Sequence, residues 1–165
     1  DEILLLGAGD VSLAGSVYAQ KQGLPVSGHP ALLDIELECR VQAVCRQAIE
    51  QGILSSAHDC SDGGLAVTLV ESALAGNIGA SIDPLPDAIP ANVALFGEGP
   101  ARIIVSLPAH KADELAALAE SNGVPPTRLG RVGGRSLTVD GQFSLDLDDL
   151  SKAHSSALAS LFDLG

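Results

Sequence analysis

The chain has 165 residues, room for one domain with a sizeable core, and a formal net charge of −12 with 18% charged residues. That balance speaks against nucleic acid or an anionic membrane as partner, because both need clustered Lys and Arg, and no apolar run approaches the ~20 residues that span a bilayer. Hydrophobic residues make up 46% but aromatic ones only 2%, so the core must be built from Leu, Val, Ile and Ala. There is no methionine, and Asp1 is followed at once by the apolar run Ile3-Leu4-Leu5-Leu6. A single domain over residues 1–165, excised from a longer protein, is predicted. Cys39, Cys45 and Cys60 match neither a CxxC metal motif nor a disulfide framework, which points to a reducing, cytoplasmic compartment. Cys39 and Cys45 are read as small apolar fillers of one helix.

Glu2 to Leu6 reads as a strand closed by Gly7-Ala8-Gly9-Asp10. Gly7-Ala8-Gly9 lacks the third glycine and the following strand–helix–strand unit of a dinucleotide fingerprint. A short helix falls within Val11 to Gln22 and ends at Gly23, and a Pro- and Gly-containing loop runs to Pro30. Asp34 caps a helix over about Ile35 to Gln51, with Leu37, Val41, Val44, Cys45 and Ala48 on one face and Gly52 past its end. Glu36 and Arg40 make a favourable i, i+4 pair on the other side. Ser56 onward is a short strand that runs through polar residues and two glycines into a mostly apolar helix, Leu65 to Ala75. Ala80 to Asp83 is a strand, Pro84, Pro86 and Pro90 mark an irregular connection, and Asn92 to Phe96 is one helical turn. Gly97-Glu98-Gly99-Pro100 reads as a tight turn that feeds the buried strand Ala101 to Leu107. Pro108 opens a helix to about Ser121, with Gly123 beyond it. Arg128 to Val132 is a strand. Leu137 to Val139 and Phe143 to Leu147 flank Asp140-Gly141, a hairpin signal. A last helix from about Asp149 puts Leu150, Ala153, Ala157, Leu158 and Leu161 on one face. The order predicts an α+β domain, a mixed β-sheet covered by helices.

The richest stretch is Ser56-Ala57-His58-Asp59-Cys60-Ser61-Asp62-Gly63-Gly64-Leu65-Ala66-Val67. A helix start has backbone N–H groups without intrahelical partners and the positive end of the helix dipole, and glycines let a phosphate approach the backbone. Asp59, Ser61, Asp62, Gly63 and Gly64 are therefore the candidate phosphate or substrate site. The structural alternative is that Ser61 or Asp62 merely caps the helix while the glycines make a tight turn. His58 and Asp59 read as a base with its orienter or as substrate ligands, against a histidine that only satisfies backbone groups. Ser61 lacks the GxSxG setting of a hydrolase nucleophile. Glu98 and Arg102 read either as an ion pair that fixes their turn or, for Arg102, as a contact to the phosphate turn or a neighbouring domain. His29, His110 and His154 are isolated, and no metal-ligand spacing is present.

His58-Asp59-Cys60-Ser61-Asp62-Gly63-Gly64-Leu65-Ala66-Val67, with Ala94-Leu95-Phe96-Gly97-Glu98-Gly99-Pro100-Ala101-Arg102, resembles the carboxy-terminal domain of the aminoimidazole-ribonucleotide synthetase superfamily. More narrowly it resembles the last domain of the phosphoribosylformylglycinamidine synthase family, subunit II. Leu13-Ala14-Gly15-Ser16-Val17-Tyr18 and Pro30-Ala31-Leu32-Leu33-Asp34-Ile35-Glu36-Leu37-Glu38 support the match, which covers nearly the whole chain. The sequence departs at Val17, where the family usually has Glu, and at Gly99, where it usually has Ser. The resemblance implies a PurM C-terminal-domain-like fold. It implies an ATP-dependent carbon–nitrogen ligase of purine biosynthesis that converts formylglycinamide ribonucleotide to the amidine with glutamine-derived ammonia. ATP and Mg2+ would be held mainly by domains outside this stretch, and the isolated domain would be inactive. Implied partners are the remaining synthase domains, a glutaminase subunit, a small accessory subunit and the nucleotide substrate. Two other readings stand beside this one: a non-catalytic, nucleotide-holding half of that duplicated synthase, and a sister family such as thiamine-monophosphate kinase.

Overall fold

The computed structural model describes residues 1–162 apart from Ala8, Val26, Pro86, Asp87 and Pro125, with side chains through Ser156. The expectations at Ala8 and Pro86, and for the helix face at Ala157, Leu158 and Leu161, lie outside the described residues. The elements run β1 (Glu2–Leu6), α1 (Val17–Lys21), α2 (Ile35–Glu50), β2 (Ser56–Asp59), α3 (Gly64–Gly76), β3 (Ala80–Ile82), α4 (Ala91–Phe96), β4 (Ile103–Leu107), α5 (Ala112–Ser121), β5 (Thr127–Val132), β6 (Ser136–Val139), β7 (Phe143–Asp146) and α6 (Leu147–Phe162). The strands form one seven-stranded sheet in the order β2-β4-β1-β5-β3-β6-β7. Every pairing is antiparallel except β3 with β6. This is the mixed sheet of an α+β domain.

The apolar run of β1 is continuous because the sheet is covered on both faces and side chains alternate along a strand. Leu4 and Leu6 join Val105 and Leu107 of β4 against Val41, Val44 and Ala48 of α2 and Leu115 of α5. Ile3 and Ile104 point the other way, into a second core with Leu65 and Leu69 of α3 and Leu137 and Val139 of β6. The register Leu4↔Val105 and Ile3↔Ser106 keeps the two sets apart.

Local chemistry sets most boundaries. Asp34 caps α2 through its Oδ1, which accepts the Leu37 N–H at 2.9 Å, and Gly52 turns the chain beyond it at φ +66°. Arg40 lies 3.9 Å from Glu36. Gly141 takes φ +71° in the β6–β7 turn, with Val139 opposite Phe143. Some boundaries differ from the sequence reading. Pro108 precedes a 3-10 turn, Ala109–Lys111, rather than entering α5 directly. Leu147 is not the end of β7 but the first residue of α6, where it is buried. Cys39 is exposed rather than a filler, because it sits off the apolar stripe formed by Val41, Val44, Cys45 and Ala48.

That difference makes the thiols distinguishable. Burial pushes the Cys45 and Cys60 thiols up, so little reactive thiolate forms. In the native protein a disulfide reagent is expected to titrate Cys39 quickly, with Cys45 and Cys60 reacting only after denaturant is added. Equal rates for all three thiols would contradict the packing around β2 and α2.

Candidate functional site

β2 lies at the sheet edge against β4, with His58 opposite Ile104 and Asp59 opposite Ile103. The chain stays in register for one more bond, from the Cys60 N–H to the Arg102 carbonyl at 2.9 Å. It then leaves the sheet and turns into α3 through Gly63 at φ +79° and Gly64 at φ +63°. The strand–turn–helix expected from the sequence is thus present, with Asp59, Ser61 and Asp62 exposed at its mouth and Gly63 and Gly64 buried beneath.

The cap of α3 is neither Ser61 nor Asp62. Gly63 occupies the cap position in the left-handed conformation, without a side-chain cap bond. Ser61 instead donates its hydroxyl to Asp59 Oδ2, and that bond holds the Asp59 carboxyl below the ordinary carboxylate range. The charge at the helix start comes from far along the chain. Glu98 Oε1 accepts the Gly63 N–H at 2.8 Å and, with the same oxygen, the Val17 N–H at 2.8 Å. One carboxylate thereby joins the starts of α3 and α1, the positive ends of two helix dipoles. Tyr18 of α1 stacks on Phe96 with ring centroids 4.9 Å apart, which fixes the two elements flanking this oxygen.

Glu98 does not pair with Arg102. The segment is not a tight turn at Glu98: Gly97 has extended backbone angles, Glu98 bridges Ser12 through two backbone bonds of 3.0 Å, and the chain bends only at Pro100 and Ala101. This path sends the two side chains to different surroundings. Arg102, 7% exposed, donates from Nη1 to the Gly97 carbonyl at 3.3 Å. The departures from the family pattern find physical reasons here. Val17 contributes only its backbone N–H, which any non-proline residue supplies. A Cβ on Gly99 would lie 2.0 Å from the Asp10 carbonyl oxygen, so this backbone excludes a serine.

His58 is half-buried and spans β2 and α3. Its Nδ1 lies 2.8 Å from the Asp59 carbonyl oxygen and its Nε2 lies 3.3 Å from Glu71 Oε2. Asp59 Oδ1 is 3.8 Å from Nδ1, on the ring's margin rather than bonded as an orienter. Sequence reasoning missed Glu71 and also Glu38, whose Oε2 accepts the Ala101 N–H at 2.5 Å and holds that non-glycine residue at φ +57°. Among the described residues no three His, Cys, Asp or Glu side chains converge as a metal-ligand set.

The chain belongs to the family described as AIR synthase related protein, C-terminal domain, which matches residues 1–141. Within that family it is similar to phosphoribosylformylglycinamidine synthase subunit PurL. The subunit of Synechococcus sp. (strain JA-3-3Ab) is 44% identical over 168 residues, covering 96% of this chain and 22% of that protein. The subunit of Anaeromyxobacter sp. (strain Fw109-5) is 40% identical over 162 residues, covering 93% and 21%. The chain therefore spans about a fifth of the length of the curated relatives it matches. These relatives support the C-terminal domain of the PurL subunit that the sequence motifs pointed to. Among solved structures, Thermotoga maritima PurL complexed with FGAR shares the fold at TM-score 0.74 and 17% identity, over 91% of this chain and 27% of that one. The same fold occurs in Thermotoga maritima PurL complexed with ATP, at TM-score 0.70, 18% identity and 91% and 25% coverage. It occurs again in PurLQS from that organism, at TM-score 0.69, 18% identity and 91% and 26% coverage. No helix among the described residues is long and apolar enough to cross a membrane.

Proposed function

We propose that this chain is the C-terminal domain of a phosphoribosylformylglycinamidine synthase. That enzyme would use ATP and Mg2+ to activate the amide oxygen of formylglycinamide ribonucleotide by phosphoryl transfer, and ammonia derived from glutamine would then displace the phosphate. The observation that carries the reading is identity of 40–44% to PurL subunits through more than nine-tenths of the chain. The solved Thermotoga proteins with FGAR and with ATP are consistent with the ligands. The PurLQS assembly is consistent with glutaminase and accessory subunits as partners, and the cytoplasm with its three free thiols as compartment. Among the described residues no three His, Cys, Asp or Glu side chains converge; on the family resemblance, ATP and Mg2+ are assigned mainly to the rest of the longer protein, and the isolated domain is expected to be inactive.

Within this reading the helix start divides its work. The Gly63 N–H serves the fold, because Glu98 already fills it. Ser61, Asp59 and Asp62 form the outer rim that meets the nucleotide, and Gly64 lies buried beneath it with its N–H bonded to the Ser61 carbonyl. His58, tied to Glu71 and to the Asp59 carbonyl, positions the end of β2 beneath that rim. The filled Gly63 N–H is also the specific observation that favours the second reading, a structural half whose turn contacts no substrate. Kinetics of the full-length synthase separate the two. If the rim binds substrate, Ser61→Ala is expected to raise the KM for formylglycinamide ribonucleotide about tenfold, the size of one lost charge-assisted hydrogen bond, with thermal stability unchanged. An unchanged KM would assign the turn to the structural half.

A further inference from the structure

Among the described residues Arg102 is the one buried charged side chain, and neither the fold nor the glycine turn supplies it a counter-charge. Its guanidinium carries five N–H donors. Among the described residues its single side-chain hydrogen bond is the 3.3 Å contact to the Gly97 carbonyl, and no carboxylate lies within ion-pair distance of it. An arginine this deeply buried is ordinarily paired, because desolvating a charge without compensation is costly. Burial accordingly pushes the Arg102 guanidinium below its ordinary value.

The side chain lines a cleft of about 480 Å³ between the start of α2 and the Asp59–Cys60 end of β2. The other charges around this cleft are already engaged. Glu38 binds the Ala101 N–H and the Gln42 side-chain amide, and Asp59 accepts from Ser61. Neither turns to Arg102. Leu33, 62% exposed, stands on the cleft wall, and Leu32 and Ile35 beside it in sequence are exposed as well.

We propose that this cleft is a binding site for one carboxylate, which Arg102 grips in a fork-to-fork pair while the apolar wall at Leu33 covers the rest of the ligand. Planar guanidinium matches planar carboxylate, and two N–H groups can be satisfied at once. A phosphate dianion fits less well, because Glu38 and Asp59 stand on the same walls and would repel the second charge. The site adjoins the rim of the glycine turn and shares Asp59 with it, but its argument does not depend on the nucleotide reading. The carboxylate can come from a small acid or from an Asp or Glu side chain of a neighbouring protein segment.

The experiment is an NMR titration of the 165-residue chain at constant ionic strength, following the backbone amide resonance of Ile103 on the cleft wall, which every Arg102 variant keeps. Sodium acetate is expected to shift that resonance saturably, and inorganic phosphate to bind several-fold more weakly. Arg102→Lys, which keeps the charge but loses the fork, is expected to weaken acetate about tenfold, and Arg102→Gln to abolish the response. Far-UV circular dichroism checks that each variant folds, and the wild-type titration stands even if Arg102→Gln does not. A capped Leu-Asp-Leu peptide distinguishes the sources. Binding at least tenfold tighter than acetate, and lost in Leu33→Ala, identifies a protein side chain; equal binding identifies a small acid. Either result supports the site. A linear, unsaturable acetate response, or a phosphate affinity above that of acetate, overturns it. No nucleotide is used, so a failure here leaves the synthase reading untouched, and an unchanged KM for Ser61→Ala leaves this one untouched.

Discussion

Glu98→Ala is expected to lower folding stability by about 3 kcal/mol, since hydrogen bonds to charged groups contribute about 1.5–3 kcal/mol each and two are lost here. The half-buried carboxylate is the acceptor for both the Gly63 and the Val17 N–H groups. Truncation removes the one side-chain acceptor that both backbone donors have among the described residues. The loss is concentrated at α1, a helix of five residues that has no buried side chain and is held by the Ser16 cap, the Glu98 oxygen and the Tyr18–Phe96 stack. Glu98→Gln keeps an oxygen in the same place without the charge, so a loss of about 1 kcal/mol is expected from weaker hydrogen bonds and the missing dipole term. Urea unfolding of the three proteins measures both values. Native-state hydrogen exchange should show α1 opening first in the Ala variant. A change below about 0.5 kcal/mol for Glu98→Ala, the range of ordinary surface substitutions, would mean that water replaces the carboxylate freely.

What the sequence made legible is what adjacent residues determine. Asp34 announces α2 because a cap acts three residues along, the apolar stripe of α2 repeats with the helical period, and Asp140-Gly141 marks its hairpin because glycine readily takes the positive φ that the turn requires at Gly141. The strand–glycine–helix motif was legible for the same reason. Its chemistry was not, because the deciding partners are remote. Glu98 lies 35 positions from Gly63 and 81 from Val17, and Glu38 lies 63 from Ala101. Four-residue spacing made Glu98 and Arg102 look like partners, but spacing of that kind places side chains together only on a helix. Here Gly97 is extended and Glu98 bridges Ser12. Glu98 therefore reaches across to the helix starts, and Arg102 is carried into the cleft beside Cys60.

Alanine at Gly63 or Gly64 separates what the glycines do for the fold from what they do for a ligand. At Gly64 a Cβ would lie 2.6 Å from the Gly97 carbonyl oxygen and 3.1 Å from that of Leu95, with φ +63°. The obstacle is backbone, so Gly64→Ala is expected to cost about 3 kcal/mol or more, part from the left-handed conformation and the rest from displacing the segment that carries Glu98. At Gly63 a Cβ would lie 2.3 Å from Val67 Cγ2, at φ +79°. This obstacle is a side chain, so Gly63→Ala is expected to cost about 2 kcal/mol, and Val67→Ala in the same chain should return about 1 kcal/mol of it, a coupling of the size seen between residues in contact. Val67→Ala should give Gly64→Ala no such relief. Both glycines are therefore required whether or not an anion binds above them, and a Gly→Ala variant that loses synthase activity would report the packing of α3 against α4 rather than a phosphate contact. Activity lost in Ser61→Ala with stability intact, set against activity and stability lost together in Gly64→Ala, is the pattern expected of a rim that touches substrate above a turn that only holds it up. Denaturation midpoints and kcat/KM for both variants of the full-length enzyme show whether that pattern exists.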